Sequence, residues 1–133
     1  MERTFKRSVN ALEKVFAFIG EFFDDEQIDG NHLYAISFSV EELFTNMLKY
    51  NVGASRDILI ALRKLDDRLE VRLTDFDVDP FDITKIEEID VSRPLDEREP
   101  GGLGIHLVKK LVDRIEYEYV DRRSTTTVIK MLG

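Results

Sequence analysis

The spacing of apolar residues changes midway along the chain, and this change limits the folds that the chain can adopt. In the first half, apolar residues recur every three or four positions over residues 12–23 and 33–48, which predicts two amphipathic helices. In the second half, short apolar or alternating runs predict strands. The remaining predicted elements are a strand over 4–8, a hairpin over 57–62 and 69–74, a helix over about 103–113 and strands over 115–120 and 125–131.

This order of elements indicates a fold class. Most of the strands follow one another as hairpins rather than in strict alternation with helices, which favours an α+β fold. We expect a two-layer sandwich in which a mixed, mostly antiparallel sheet is covered on one face by helices. With 133 residues, 43% of them hydrophobic, the chain is long enough for one core and too short for two ordinary domains. Residues 1–133 are therefore predicted to form a single domain.

Composition argues against several classes of function. The chain has no cysteine and two isolated histidines, His32 and His106, which excludes thiolate metal sites and argues against an all-protein zinc site. A net charge of −8 argues against nucleic acid as the main partner, because phosphate binding requires clustered Lys and Arg. The sequence shows neither a membrane span nor an apolar secretory segment, so we expect no membrane partner and a cytoplasmic location.

A glycine-rich turn, Gly101-Gly102-Leu103-Gly104, opens the last predicted helix. Glycines let backbone N–H groups approach an anion closely, and a helix N-terminus carries partial positive charge, so the turn suits phosphate groups. The same residues would also serve simply to end a loop before an ordinary helix. The turn has neither the lysine of a Walker motif nor the preceding strand of a dinucleotide-binding motif, so the glycines alone leave both interpretations open.

A polar stripe marks the second predicted helix. Glu42, Asn46 and Lys49 lie at positions i, i+4 and i+7 and are predicted roughly opposite the apolar face. Taken alone, such a stripe is typical of a solvated helix surface. Beside a phosphate site it has a chemical interpretation, because a carboxylate can accept a proton and an amide oxygen can complete the shell of a magnesium ion.

An acidic segment follows the predicted hairpin. Asp75 ends the second strand, and Asp77, Asp79 and Phe81 follow it. An aspartate at a strand end can accept a hydrogen bond from an exocyclic amine and so select adenine. An acidic turn without further function is the simpler interpretation of the segment taken alone. A calcium loop is less favoured, because the glycine and the terminal glutamate of an EF-hand are missing.

Along the chain, the polar stripe, the acidic segment and the glycine-rich turn resemble, in order and spacing, the N, G1 and G2 boxes of the GHKL ATPases, which share the Bergerat fold. The resemblance extends over about residues 41–127. Three features look most like the anti-sigma regulatory serine/threonine kinases: the sequence Glu-Glu-Leu-Phe-Thr-Asn at 41–46, Pro-Phe-Asp at 80–82, and the run at 93–108 that contains the glycine-rich turn.

The resemblance implies a role for each matching residue. Asn46 would bind magnesium, Glu42 would be the general base or the carboxylate that orients water, and Asp75 would bind the adenine amine. Residues from about 83–100 would form a lid over the nucleotide. The predicted ATP-binding residues are Asn46, Lys49, Asp75, Asp77, Phe81, Gly101, Gly102, Leu103, Gly104, Ile105, His106 and Thr126.

Two positions depart from the family pattern. The family carries a glycine two residues after the adenine-binding aspartate, where this chain has Asp77, and Pro-Phe-Asp follows one position late. An acid at this position can weaken or abolish nucleotide binding, both by crowding the nucleotide and by its negative charge. Tyr50 occupies the position where relatives often carry a histidine, which alters the predicted surroundings of the γ-phosphate.

Three functional hypotheses result. The first is an ATP-dependent protein serine/threonine kinase of the partner-switching type, which would bind a sigma factor or similar client and phosphorylate a STAS-type anti-anti-sigma protein, often as a homodimer. The second is an anti-sigma or partner-binding module that sequesters its client without phosphate transfer because its ATP site is degenerate. The third, a detached histidine-kinase ATPase domain, is less favoured.

Overall fold

The computed structural model describes residues 1–82 and 102–133. A short 3-10 turn precedes each of the first two helices. The main elements are β1 (Glu2–Phe5), α1 (Leu12–Asp25), α2 (Leu33–Tyr50), β2 (Ile58–Lys64), β3 (Arg68–Phe76), α3 (Gly102–Leu111), β4 (Arg114–Val120) and β5 (Arg123–Met131). Every helix and strand predicted from the sequence is therefore present, and most bounds differ by one or two residues.

The first strand lies closer to the N-terminus than the predicted range of 4–8. It ends at Phe5 because the chain turns there: the N–H of Ser8 donates to the Lys6 carbonyl at 2.8 Å. The Ser8 hydroxyl in turn accepts a hydrogen bond from the N–H of Asn10 at 3.2 Å. Ser8 thus caps the turn that leads into α1 instead of extending the strand.

The strands form one five-stranded sheet in the order β1-β2-β3-β5-β4. The α+β prediction is confirmed. All the neighbouring strand pairs in the described part of the chain are antiparallel, so the parallel pairing that a mixed sheet would contain does not occur among them. Leu73 pairs with Ile60 on one side and with Thr126 on the other, and these three residues therefore share one face of the sheet.

One hydrophobic core lies between this face and the helices. Its fully buried strand residues occupy alternate positions and include Ile58, Ile60, Leu69, Val71, Leu73 and Val128. Its fully buried helix residues recur every three or four positions and include Val15, Phe18, Ile19, Ile36, Val40, Leu43, Phe44 and Val108. The two layers follow from these two periodicities, since each element has one apolar side to bury.

Replacement of Leu43 by alanine is expected to lower the free energy of unfolding by about 2–5 kcal/mol, because Leu43 is fully buried and its truncation leaves a cavity. Leu33 begins the same helix and is 37% exposed, so Leu33→Ala should cost less than about 1 kcal/mol. Urea denaturation of both variants measures the difference. Equal losses in the two variants would contradict the assigned core.

Candidate functional site

The helix-covered face of the sheet changes from apolar to polar at one end. On β3, the buried residues Val71 and Leu73 are followed at the next inward position by Asp75, whose exposure is 0%. Strand pairing places Asp75 opposite Ser124 and Leu73 opposite Thr126, and both hydroxyl residues are buried. Because buried polar groups require hydrogen-bond partners, this polar end is the first candidate for a binding site.

Asn46 of α2 contributes to the same polar region. It is only 4% exposed, so the expectation that it lies opposite the apolar face of the helix was wrong. Its Nδ2 donates to the Glu42 carbonyl at 2.6 Å, whereas its Oδ1 is buried and has no hydrogen-bond partner among the described residues. An unpaired buried acceptor costs about 1–3 kcal/mol. An external donor or cation would remove this cost, which fits the predicted magnesium ligand.

The carboxylate of Glu42 lies where α2 meets α3. The side chain is half-buried, and this burial raises the pKa of Glu42 above its ordinary value of 4.5, with a further increase from the charge of Glu41. A Cβ atom at Gly104 would collide with the Glu42 carboxylate. The absence of a side chain at Gly104 therefore lets Glu42 lie directly against the first turn of α3, and the predicted N and G2 segments meet in the fold.

Helix α3 begins at Gly102, so the N–H groups of its first turn lack intrahelical acceptors and suit an anion. Ile105 is 2% exposed and packs in the core, which leaves its backbone as the part that a nucleotide can contact. His106 is half-buried. Gly101 and the predicted lid over about 83–100 lie outside the described residues.

Asp75 is held by two residues that the sequence analysis did not identify. Arg7 donates to its Oδ1 and Oδ2 at 2.8 and 2.7 Å, and Asn51 Nδ2 donates to its Oδ2 at 2.6 Å. Arg7 is 68 positions away in sequence, so no local motif connects the pair. Asn51 directly follows α2, and this position after the end of a helix was the only indication in the sequence that Asn51 could belong to the site. The predicted adenine-binding carboxylate is thus the centre of a buried hydrogen-bonded ion pair.

Asp77 has a left-handed backbone conformation, with a φ of 56°. Glycine adopts this region most readily, and aspartate adopts it more readily than most other residues. The exposed Asp77 carboxylate accepts a hydrogen bond from Arg122 Nε at 2.9 Å, and Arg122 Nη1 donates to Asp79 at 3.0 Å. These hydrogen bonds raise the pKa of Arg122, that from Asp77 most. The structure therefore directs the negative charge of Asp77 to a cation on the β4–β5 hairpin.

The β4–β5 hairpin also holds the segment that follows β3. Its tip residues, Asp121 and Arg122, have φ values of 51° and 61°, as a two-residue type I′ turn requires. The N–H of Val78 donates to the Arg122 carbonyl at 3.0 Å, and the Tyr119 hydroxyl donates to the Val78 carbonyl at 2.7 Å. The acidic segment that follows β3 is consequently tied to the sheet.

A small cavity lies between α2 and the polar end of the sheet. Phe81 closes one side: its ring stacks on Tyr50 with centroids 4.6 Å apart, and its N–H donates to the Tyr117 hydroxyl at 3.0 Å. A volume of about 10 Å³ holds about one water at most, so the cavity is too small for a nucleobase. The lining residues are Leu43, Asn46, Met47, Asn51, Phe81, Ser124 and Thr126.

The predicted site residues are thus only partly brought together. Asn46, Phe81 and Thr126 line one cavity, and Asp75 is joined to it through Asn51. Lys49 is exposed, with its ammonium 5.0 Å from the centroid of the Tyr50 ring.

Within residues 1–82 and 102–133, no group of three or more His, Cys, Asp or Glu side chains is placed to hold a metal ion. Magnesium that is bound mainly by phosphates and water needs only one or two protein oxygens, a requirement that Asn46 can meet. The same residues contain no helix whose length and apolar character would let it cross a membrane.

Comparison with known proteins identifies the family. The family model described as the histidine kinase-like ATPase domain matches residues 5–131. The chain belongs to this family. The resemblance to the GHKL ATPases predicted from the sequence is therefore confirmed.

Two kinds of relative are similar to this chain. The serine-protein kinase RsbW of Halalkalibacterium halodurans is 31% identical over 85 residues, which cover 61% of this chain and 52% of that protein. The chain thus spans about half the length of this curated relative. A solved structure of the RsbU and RsbW domains of a Mycobacterium tuberculosis protein has a TM-score of 0.67 at 16% identity, covering 98% of this chain and 32% of the other.

Two further solved structures share the fold. The SiaB–SiaC complex of Pseudomonas aeruginosa contains a chain with a TM-score of 0.59 at 14% identity, covering 98% of this chain and 89% of that one. The Acinetobacter baumannii histidine kinase AdeS has a TM-score of 0.56 at 14% identity, covering 100% of this chain and 68% of that chain. At these identities the likeness shows the fold alone.

Gly104→Ala is expected to lower the pKa of Glu42 toward 4.5. The added methyl group would displace the end of the flexible Glu42 side chain, and the loss of burial removes the main cause of the raised pKa. Carbon-13 NMR titration of the Glu42 carboxyl measures this change.

Gly20→Ala is the matched control. Gly20 also lies within a helix, but apart from its chain neighbours and the backbone of its own helix, no atom of the described residues lies within 4 Å of an added Cβ. This substitution should leave the Glu42 pKa unchanged and stabilise the protein by about 0.5–1 kcal/mol. An unchanged pKa in Gly104→Ala would rule out the assigned contact.

Proposed function

We propose that this protein is an ATP-binding anti-sigma regulatory factor that acts as a serine/threonine kinase on a STAS-type anti-anti-sigma protein in a partner-switching pathway. The observation that carries the proposal is the contact of Glu42 with the glycine-opened helix α3, beside the buried Asn46 oxygen. Membership of the ATPase family supports the use of ATP. The relative named as a serine-protein kinase supports the reaction type.

Each residue has a distinct chemical task in this proposal. The Glu42 carboxylate accepts the proton of the substrate hydroxyl as its oxygen attacks the γ-phosphorus, the bond to the β,γ-bridging oxygen breaks, and ADP leaves. The raised pKa of Glu42 makes it a stronger proton acceptor than an ordinary glutamate. Asn46 Oδ1 would hold Mg²⁺, which would neutralise triphosphate charge when bound. The first-turn N–H groups of α3 orient the phosphates.

The partners follow from the same proposal. One solved structure that shares the fold is the SiaB–SiaC complex, and this supports a protein partner for the chain described here. We assign a STAS-type antagonist as the phosphoacceptor and a sigma factor, or a similar regulator, as the sequestered client. Action as a homodimer in the cytoplasm completes the proposed arrangement.

One observation favours a second candidate function, a partner-binding module without phosphate transfer. The cavity lined by Asn46 and Phe81 has a volume of only about 10 Å³, which holds about one water at most. A cavity of this size does not admit a nucleobase. Nucleotide binding therefore discriminates between the two functions.

Thermal unfolding with and without Mg-ATP provides this test. Nucleotide at 100 times its dissociation constant should add about 2.7 kcal/mol of stability to the wild-type protein. Asn46→Ala should abolish the part of this stabilisation that depends on magnesium. Glu42→Gln should retain the shift and slow transfer to the protein substrate by about 10²- to 10⁴-fold. No stabilisation of the wild type at millimolar Mg-ATP would favour the partner-binding module.

The pH dependence of transfer offers a second prediction. Glu42 accepts a proton only when ionised, so the rate should fall on the acid side at a pH above 4.5, because burial and Glu41 raise the pKa of Glu42. Glu41→Gln removes one of these causes and should move the acid limb to lower pH. The same pKa shift also affects folding. Because the fold favours the neutral form of Glu42, its contribution to the free energy of unfolding is fully present below pH 4.5 and is lost as the pH rises through the raised pKa. A rate profile that is unaffected by Glu41→Gln would contradict Glu42 as the base.

A further inference from the structure

Arg7 makes a nearly complete set of hydrogen bonds beside the candidate adenine site. Its Nη1 and Nη2 donate to the two oxygens of Asp75 at 2.8 and 2.7 Å. The same two nitrogens make longer bonds to the carbonyls of Arg56 at 3.4 Å and Met47 at 3.3 Å. The Arg7 side chain is 13% exposed, and that of Asp75 is 0% exposed. The pair is therefore a bidentate ion pair largely removed from solvent.

The four Nη hydrogens of Arg7 all have acceptors within the protein. Each of its two terminal nitrogens carries two hydrogens, and each makes two bonds. Arg7 consequently has no terminal donor left for a nucleobase, and any effect on a ligand must pass through Asp75.

Among the described residues, the hydrogen bonds to the Asp75 carboxylate leave one of its acceptor sites unused. A carboxylate offers about four lone-pair sites; Arg7 and Asn51 occupy two on Oδ2, and Arg7 occupies one on Oδ1. The remaining site is on Oδ1. The bidentate contact fixes the plane of the carboxylate and thereby the direction of this site.

We propose that Arg7 is a positioning residue that aims Asp75 Oδ1 at the exocyclic amine of adenine and so sets the preference of the site for adenine. This inference rests on the proposed ATP-binding function. Arg7 also offsets the charge of Asp75, so that the buried carboxylate can accept from a neutral amine while its own charge stays paired. Without Arg7, the carboxylate would lose both its orientation and its main counter-charge.

The test compares ATP with purine riboside triphosphate, which lacks only the exocyclic amine, by calorimetric titration in the presence of magnesium. The wild-type protein should bind ATP about tenfold more tightly, the factor expected for one hydrogen bond to a charged group. Arg7→Gln should bring this ratio close to one by weakening ATP binding while leaving the affinity for purine riboside triphosphate unchanged.

Arg56→Gln is the matched control, because the Arg56 guanidinium contacts the Phe76 ring, 4.6 Å from its centroid, rather than Asp75. This variant should leave the ratio of the two affinities at its wild-type value. Arg7→Lys keeps the positive charge but cannot make the bidentate contact, so it should give a ratio between those of the wild type and Arg7→Gln. It also provides the test if Arg7→Gln does not fold. A wild-type ratio in a folded Arg7 variant, or equal weakening of both ligands, would overturn the inference alone. A wild-type protein that binds neither nucleotide would overturn the proposed function as well.

Discussion

Helix α2 covers a sheet surface that is apolar at one end and polar at the other. Leu43 is fully buried against the apolar part, and Asn46, one turn later, is buried with an unsatisfied oxygen. Burial of a polar atom without a hydrogen bond costs free energy. The packing that stabilises the domain therefore also creates an acceptor that a ligand can satisfy, and both stability and candidate chemistry depend on this one helix–sheet interface.

The buried charge of Asp75 imposes a second constraint on the same interface. Its exposure of 0% requires a counter-charge, because removal of one partner from a buried ion pair typically costs about 3–5 kcal/mol. Arg7 supplies that charge from the segment between β1 and α1. The N-terminal segment that carries Arg7 therefore belongs to the candidate site, although it lies far along the sequence from the motif that contains Asp75.

Local patterns account for what the sequence could predict. Periodicity identified the helices and strands, and the chemistry of single segments identified Glu42, Asp75 and Gly104 as candidates. Their assembly was expected only from the family resemblance. The Arg7 partner was missed because 68 positions separate it from Asp75 and a lone arginine has no distinguishing spacing. The burial of Asn46 was missed because helical spacing gives relative positions around the axis but not the width of the covered side.

Asp77 shows that a motif position can be defined by backbone shape rather than by residue identity. Its left-handed φ is the conformation for which glycine is ordinarily selected, yet here an aspartate adopts it and uses its side chain to bond Arg122. A search that scores the glycine itself penalises chains of this kind, whereas a comparison of dihedral angles at the end of β3 would retain them. Distant relatives with acidic residues at this position are accordingly best sought by backbone geometry.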